Sequence, residues 1–237
     1  MDNWEENLPK YVAEVLGTFT LVFVGSLSIL ASVSLDAPLL LVVAFGFGLA
    51  LLAGLYAFGD ISGGHFNPAV SLAMFLNGRL DAQTMLGYWV SQIVGAILGA
   101  IGVLIAFSQD DVAATATTAS GAWEAFWLEL LLTAIFVSVI LQSSRSQRVF
   151  GTALIAIPLT LVAIHLAAIP TSGSSVNPVR SLAPALIGNE WDDFWIYLLA
   201  PLAGAAIGAF VHLYLYGRFV VADVETVEIR PQEDAPR

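Results

Sequence analysis

Six long apolar runs dominate this sequence and restrict what it can fold into. Each run has about 20 residues with few or no charges, which is the length that an α-helix needs to cross a hydrocarbon core about 30 Å thick. We therefore predict six transmembrane helices, at residues 11–33, 39–58, 83–107, 124–142, 150–169 and 194–216.

The composition excludes several function classes. Of the 237 residues, 58% are hydrophobic and 11% are charged, whereas soluble domains carry about 25% charged residues. Acidic residues number 19 against 8 basic ones, which argues against a nucleic-acid partner because phosphate binding needs clustered basic side chains. This acidity fits either a halophilic source, such as an archaeon, or an ordinary membrane protein with an acidic tail. The chain has no cysteine, so we expect neither a disulfide nor a thiolate metal site.

Two related stretches interrupt the apolar runs. The first motif, SGGHFNPAV, covers residues 62–70, and the second motif, SGSSVNPVR, covers residues 172–180. In both, Asn-Pro precedes a short apolar stretch, and proline at the first helical position favours a helix start. About ten residues of helix rise about 15 Å, which is half of the hydrocarbon core. We therefore predict two re-entrant half-helices, at residues 68–77 and 178–187.

The basic residues predict the orientation of the chain. With six spans, all but Arg180 fall on one side of the membrane, and the positive-inside rule makes that side cytoplasmic. We thus expect a multi-pass protein of the cell membrane with both termini in the cytoplasm. The residues on this side are Lys10, Arg79, Arg145, Arg148, Arg218, Arg230 and Arg237.

The two halves of the chain repeat one another. Each half contains three spans, an odd number, so the second copy must be inverted relative to the first, as in many transport proteins. We predict the first repeat at 11–113 and the second at 114–216, between a cytoplasmic segment 1–10 and an acidic cytoplasmic tail 217–237. The matching positions are Glu14 and Glu129, Gln92 and Pro201, and Asn67 and Asn177, at offsets of 115, 109 and 110 residues.

These features together resemble the aquaporin family, also called the major intrinsic proteins. The resemblance covers about residues 10–216 and implies an all-α membrane protein, with six transmembrane helices and two re-entrant half-helices in an inverted repeat. It also implies a homotetramer in the lipid bilayer with one water-conducting pore per subunit, no enzyme activity, and neither a cofactor nor a metal. It rests on the paired motifs, on Glu14 and Glu129, and on the small-residue pairs Gly95 with Gly99 and Gly204 with Gly208.

The paired motifs suggest a mechanism. A helix N-terminus carries about half a positive charge, so two such ends that meet at the midplane repel cations. Both asparagine side chains can donate N–H to a passing water, whereas a single Asn-Pro would more simply be a helix cap. The motif positions are Asn67, Pro68 and Ala69, and Asn177, Pro178 and Val179.

The resemblance also implies a selectivity filter of four residues. Counting from the asparagines assigns it to Phe47, His165, Ser174 and Arg180. Phe47 would limit the width, while His165 and Arg180 would donate hydrogen bonds to water and Arg180 would reject cations. The glycerol-conducting branch usually has a smaller residue in place of His165 and Asp in place of Ser181, so both positions favour water.

The remaining candidates have supporting roles. By the resemblance, Glu14 and Glu129 accept hydrogen bonds from the motif loops, and the glycine pairs allow close helix packing. His65 is a candidate for the cytoplasmic mouth, and His212 is expected to be structural. Val179 departs from the alanine of the first motif, so we expect slightly altered spacing of the half-helices with both asparagines still at the pore.

Three alternatives remain open. The first is a facilitator for glycerol or other small neutral solutes with the same fold. The second is an inverted-repeat secondary transporter, which would need carboxylates at its substrate site. The third is a purely structural role at membrane junctions. The sequence contains no Ser-His-Asp set, metal-spaced histidines or nucleotide loop that would favour an enzyme.

Overall fold

The computed structural model describes residues 4–34, 38–145 and 147–217, and these ranges contain helices and loops without any strand. Residues 1–3 of the predicted N-terminal segment and the predicted tail from Arg218 onward lie outside them. The described helices are α1 (Trp4–Ser34), α2 (Leu39–Ser62), α3 (Pro68–Leu76), α4 (Ala82–Ala106), α5 (Gln109–Ala113), α6 (Ala122–Ser143), α7 (Gln147–Ser172), α8 (Pro178–Gly188) and α9 (Phe194–Tyr216).

The fold-class prediction is confirmed. Six of these helices, α1, α2, α4, α6, α7 and α9, are long and apolar enough to cross a membrane. The helices α3 and α8 have 9 and 11 residues and are too short to cross a membrane. Large apolar side chains such as Ile105 and Tyr214 are more than 80% exposed, as expected of surfaces that lipid covers.

Local signals explain where the helices begin and end. Asp81 accepts a hydrogen bond from the backbone N–H of Thr84 at 2.9 Å and one from its hydroxyl at 2.6 Å, so it caps α4. These hydrogen bonds from Thr84 hold the pKa of Asp81 below its usual value. α2 ends where Gly63 takes a left-handed φ of 88° and returns its N–H to the carbonyl of Gly59.

The structure extends most of the predicted spans and adds one element. α1 begins at Trp4, and α2 continues to Ser62 at the start of the first motif. The sequence analysis did not predict α5, which is a single helical turn. Ser108 and Asp111 form a reciprocal capping box that stabilises the start of this turn.

Glycines allow the long helices to approach closely. A Cβ at Gly95 of α4 would overlap the carbonyl oxygen of Val15 in α1, and one at Gly204 of α9 would overlap that of Leu130 in α6. Gly99 and Gly208, one turn further on, face the same partner helices. Backbone therefore packs directly on backbone at equivalent places in the two halves.

The half-helices tie the two halves together. α3, from the first half, packs against α9 of the second, and α8 packs against α4 of the first. Their N-terminal ends lie in the interior, where both asparagines are buried. The core thus forms around two helix starts that point at each other, which defines the centre of the candidate site.

Candidate functional site

A buried glutamate holds each motif loop in place. In the first half, one oxygen of Glu14 accepts hydrogen bonds from the Ser62 hydroxyl at 2.7 Å and the His65 N–H at 2.9 Å. The other oxygen accepts from the Phe66 N–H and from the Gln92 amide, both at 2.7 Å. A carboxylate that accepts four hydrogen bonds has its acceptor sites filled, which fits an ionised group in a structural role.

The second half repeats this arrangement around Glu129. Its carboxylate accepts from the Ser172 hydroxyl at 2.8 Å, from the Ser175 N–H at 2.8 Å and from the Val176 N–H at 2.6 Å. Glu14 and Glu129 are both fully buried. Each carboxylate therefore accepts hydrogen bonds from the loop that precedes its half-helix.

Both loops contain a residue in a conformation that L-residues avoid. Phe66 has a φ of 49° and Val176 a φ of 45°, and the two stand immediately before the asparagines. Left-handed backbone is costly for aromatic and β-branched residues. The glutamate oxygens accept the N–H of each strained residue, so we infer that the carboxylates stabilise this backbone.

The strained residues direct their carbonyls to the opposite motif. The Asn67 amide donates to the carbonyl of Val176 at 2.8 Å, and the Asn177 amide donates to the carbonyl of Phe66 at 2.9 Å. Each asparagine oxygen meanwhile accepts a backbone N–H of its own half-helix, from Ala69 or Val179. Both asparagines therefore cap their half-helices, and each amide keeps a second N–H that these bonds do not use.

One internal cavity connects the motifs with three of the four predicted filter residues. Its lining includes Asn67, Asn177, Phe47, His165 and Arg180. Its volume is about 50 Å³, enough for about three to five waters at about 10–15 Å³ each. Met74 of α3 and Ser144, directly after α6, also line the cavity, at the end away from the predicted filter residues. The cavity is therefore elongated.

Three of the predicted filter residues, Phe47, His165 and Arg180, pack against one another. The His165 ring meets the Phe47 ring edge to face, with centroids 5.2 Å apart. The Arg180 guanidinium lies over the Phe47 ring, 4.7 Å from its centroid, which is within range of a cation–π interaction. All three side chains are at most 5% exposed, so they are packed closely where they line the cavity.

Ser174, the fourth predicted filter residue, lies behind His165 and is not part of the cavity lining. Its hydroxyl forms a 2.8 Å hydrogen bond with Nδ1 of His165. Two buried polar atoms of the filter, Nε2 of His165 and Nε of Arg180, have no hydrogen-bond partner among the described residues. Both side chains also line the cavity.

Val179 changes the second motif only slightly. The Val179 N–H lies 3.2 Å from the Asn177 oxygen, whereas the matching Ala69 distance is 2.9 Å. Its side chain packs with Val22, Ala96 and other residues of α1, α4, α5 and α8, while Ala69 belongs to a different core cluster. The extra methyl groups are therefore accommodated away from Ala69.

The other two histidines of the chain, His65 and His212, lie at different distances from the site: one lines the cavity and the other does not. His65 is buried, lines the cavity and bonds through Nδ1 to Ser71 at 3.0 Å. His212 is also buried but lies outside the cavity lining, and its Nδ1 is 3.2 Å from the amide of Asn77.

The sequence analysis missed a symmetric pair of supporting tyrosines. The Tyr88 hydroxyl donates to the carbonyl of Ser62 at 2.6 Å, and the Tyr197 hydroxyl donates to that of Ser172 at 2.8 Å. Both acceptor residues also contact the buried glutamates through their hydroxyls. The repeat offset could have identified this pair, because Tyr88 and Tyr197 are 109 residues apart, the same offset as between Gln92 and Pro201.

Comparisons with known proteins agree with this geometry. The family described as Major intrinsic protein matches residues 2–212. Aquaporin Z of Brucella melitensis is 42% identical over 226 residues, which cover 89% of this chain and 99% of that protein. Glycerol uptake facilitator protein-like 6 of Lactiplantibacillus plantarum is 40% identical over 209 residues, with coverage of 85% and 95%.

A solved structure supports the fold. The aquaglyceroporin from Plasmodium falciparum superposes with a TM-score of 0.77 and covers 86% of this chain and 95% of that one, at 22% sequence identity. From the near-complete match to the family and the relatives above 30% identity, the chain belongs to the major intrinsic protein family.

Proposed function

We propose that this protein is a passive transmembrane water channel that excludes protons and other ions. The observation that carries the proposal is the single cavity that both asparagines share with Phe47, His165 and Arg180. The Aquaporin Z relative supports water as the permeant. A channel of this kind needs no catalytic group and no cofactor.

Water would pass the centre by exchanging hydrogen bonds. Each asparagine has one N–H that the protein does not use, and the two side chains enter the cavity from opposite half-helices. A water that accepts both hydrogen bonds turns its own hydrogens outward along the cavity. A continuous proton wire is then interrupted at this water.

Cations would be rejected at two places. The N-termini of α3 and α8 present unsatisfied partial positive charge at the centre. Arg180 adds a full positive charge at the filter. Among the described residues that line the cavity there is no carboxylate to compensate either charge, which also disfavours the transporter alternative.

A facilitator for glycerol or a similar neutral solute is the second candidate. It is favoured by the relative named a glycerol uptake facilitator-like protein. The packing of Phe47 against His165 and Arg180 argues for the water channel, because three large buried side chains crowd this part of the cavity.

Stopped-flow light scattering on proteoliposomes separates these candidates. A sorbitol gradient should shrink the vesicles faster than empty liposomes, and a glycerol gradient should give no fast reswelling. Water flux equal to that of empty liposomes would contradict the channel. Fast reswelling in glycerol would support the second candidate.

We further propose that the protein is a homotetramer in the plasma membrane with both termini in the cytoplasm. The family resemblance supports the tetramer. The orientation is supported by Lys10, Arg79 and Arg145, which lie on one side of the membrane by the order of the spans. The positive-inside rule makes that side cytoplasmic.

A further inference from the structure

A loop outside the two motifs approaches the filter arginine. This loop, residues 114–121, connects α5 to α6 and is attached to the end of α7. The N–H and the hydroxyl of Ser120 both donate to the carbonyl of Thr171, at 2.9 and 3.1 Å. At its other end, the Thr115 hydroxyl donates to the carbonyl of Val112 at 2.8 Å. The loop is therefore held at its α6 end against the residue that precedes the second motif, and at its other end against α5.

A glycine gives Thr117 its access to the site. Gly173 has a φ of 69°, and a Cβ there would lie 2.7 Å from Cγ2 of Thr117 and 3.0 Å from the carbonyl oxygen of Thr118. Since any larger residue would push the loop away, Gly173 allows Thr117 to lie against the motif. The Thr117 side chain is buried as a result.

Arg180 depends on this threonine for its side-chain hydrogen bond. Its Nη1 donates to the Thr117 hydroxyl at 2.8 Å, the one hydrogen bond that the Arg180 side chain makes within the described part of the chain. The guanidinium also lies over the face of Phe47, and Nε is left unpaired. A buried guanidinium has five N–H donors, so losing its one acceptor is costly.

The Thr117 hydroxyl begins a row of hydroxyl groups that leads back to the second asparagine. It contacts the Ser181 hydroxyl, which lies 2.6 Å from the Ser175 hydroxyl. The Ser175 hydroxyl donates to the backbone carbonyl of Asn177 at 2.8 Å. All three hydroxyls are buried.

Counting hydrogens gives every bond in the row a direction. Ser175 uses its single hydrogen on the Asn177 carbonyl, so Ser181 must donate to Ser175. Thr117 must then donate to Ser181, which leaves the Thr117 oxygen purely as an acceptor toward Arg180. Hydrogen bonds aligned head to tail in this way polarise and strengthen one another.

We propose that Thr117 is a positioning residue of the selectivity filter, which holds the Arg180 guanidinium against the wall of the pore. The row Thr117, Ser181 and Ser175 orients the threonine oxygen so that it accepts from the arginine. This role rests on the proposed water-channel function and extends it to a loop outside both motifs. Without the hydroxyl, the arginine turns toward water in the cavity and narrows it.

Isosteric removal of the hydroxyl tests the role of Thr117. A charge-assisted hydrogen bond changes by about tenfold or more the equilibrium constant between the bonded and the unbonded position of the Arg180 side chain. We expect Thr117→Val to lower water permeability per reconstituted channel about two- to fivefold and to raise the activation energy of flux. Thr117→Ser, which keeps the hydroxyl, should restore both. Ser181→Ala removes the acceptor of the Thr117 hydrogen and should give a smaller loss.

The adjacent Thr118 supplies the matched control. Its side chain is exposed, so Thr118→Val makes the same chemical change one residue away and should leave permeability and activation energy unchanged. Wild-type behaviour of Thr117→Val would overturn the proposal, as would equal losses in Thr117→Val and Thr117→Ser. Size-exclusion elution and helical circular dichroism of each variant separate these effects from misfolding.

The same flux measurements distinguish failure of the positioning role of Thr117 from failure of the proposed water channel. Wild-type flux above empty liposomes together with unchanged Thr117→Val rejects the positioning role and leaves the water channel intact. Wild-type flux equal to that of empty liposomes rejects the channel itself and the positioning role with it.

Discussion

His165 lines the cavity, and one of its ring nitrogens is hydrogen bonded to Ser174. Nδ1 is engaged with Ser174 at 2.8 Å, while Nε2 has no partner among the described residues. The ring also packs edge to face against Phe47, so its orientation is restricted on two sides. The His165 ring is therefore held in place within the part of the cavity that Phe47 and Arg180 also line.

Removing the His165 ring should admit larger solutes. We expect His165→Ala to raise glycerol permeability on the order of tenfold, because the steric restriction on pore diameter is lost, while water flux remains. The measurement is vesicle reswelling in glycerol. His212→Ala provides the control, since His212 lies outside the cavity lining. Unchanged glycerol exclusion in His165→Ala would contradict the assigned role.

Replacing the valine of the second motif should be nearly silent. Val179 packs away from Ala69, and the Asn177 oxygen is bound through backbone N–H rather than through this side chain. We therefore expect Val179→Ala to keep water flux and proton exclusion, at a stability cost of about 1 kcal/mol for the lost apolar volume. Proton leakage, followed with a pH-sensitive dye inside the vesicles, would show that the valine controls the motif geometry.

At the level of structural elements, the buried glutamates connect the long helices to the motif loops. Glu129 extends from α6 and accepts the N–H groups of Ser175 and Val176, which precede α8. The left-handed residue Val176 then directs its carbonyl to Asn67 in the other half. One carboxylate thus influences both half-helix starts.

Neutralising this carboxylate should destabilise the second motif. In Glu129→Gln, one acceptor becomes an NH₂ group that faces a backbone N–H, and an unsatisfied buried donor costs about 1–3 kcal/mol. We expect a thermal inactivation temperature several degrees lower in detergent, and reduced water flux. Glu124→Gln on the same helix is the control, because Glu124 is exposed. Equal stability of the two variants would argue against the supporting role.

Glycine packing between the helices gives a second prediction at this scale. A Cβ at Gly204 would overlap the backbone of Leu130, so Gly204→Ala should separate α9 from α6 and cost about 1–3 kcal/mol. At Gly59 the nearest atoms to an added Cβ are 3.9 Å away, so Gly59→Ala should be tolerated. Thermal aggregation in detergent measures the difference, and similar midpoints would contradict the close-packing role.

At the scale of the whole molecule, the absence of cysteine makes the orientation directly testable. Ala82 begins α4 on the predicted cytoplasmic side, and Asp110 lies in α5 on the opposite side; both are exposed. In intact cells, a membrane-impermeant maleimide should label Asp110→Cys and should label Ala82→Cys only after permeabilisation. The reverse pattern would invert the predicted topology.

The large-scale architecture was predictable from the sequence because it follows from lengths and spacing. Runs of about 20 apolar residues leave the backbone no alternative to spanning helices in lipid. The Asn-Pro pairs, with proline at the first helical position, indicated both half-helix starts. The repeat offset of 110 residues relates Asn67 to Asn177.

The finer geometry of the site was not accessible in this way. Thr117 lies in a loop without periodicity, and nothing in the sequence indicates that it meets Arg180, 63 residues away. The left-handed backbone at Phe66 and Val176 contradicts their local preferences and exists because distant glutamates accept their N–H groups. The hydroxyl of Ser174 bonds to His165 behind the cavity, which spacing alone does not reveal.

The sequence by itself determined the six spans, the inverted repeat and the two polar helix starts, because each is a local pattern of apolarity, capping and proline placement. Only the tertiary structure decided which atoms of those residues remain free to bind water. A hydrogen bond that occupies one donor or acceptor depends on partners from other helices and loops. The second N–H of each asparagine is what those long-range bonds leave available.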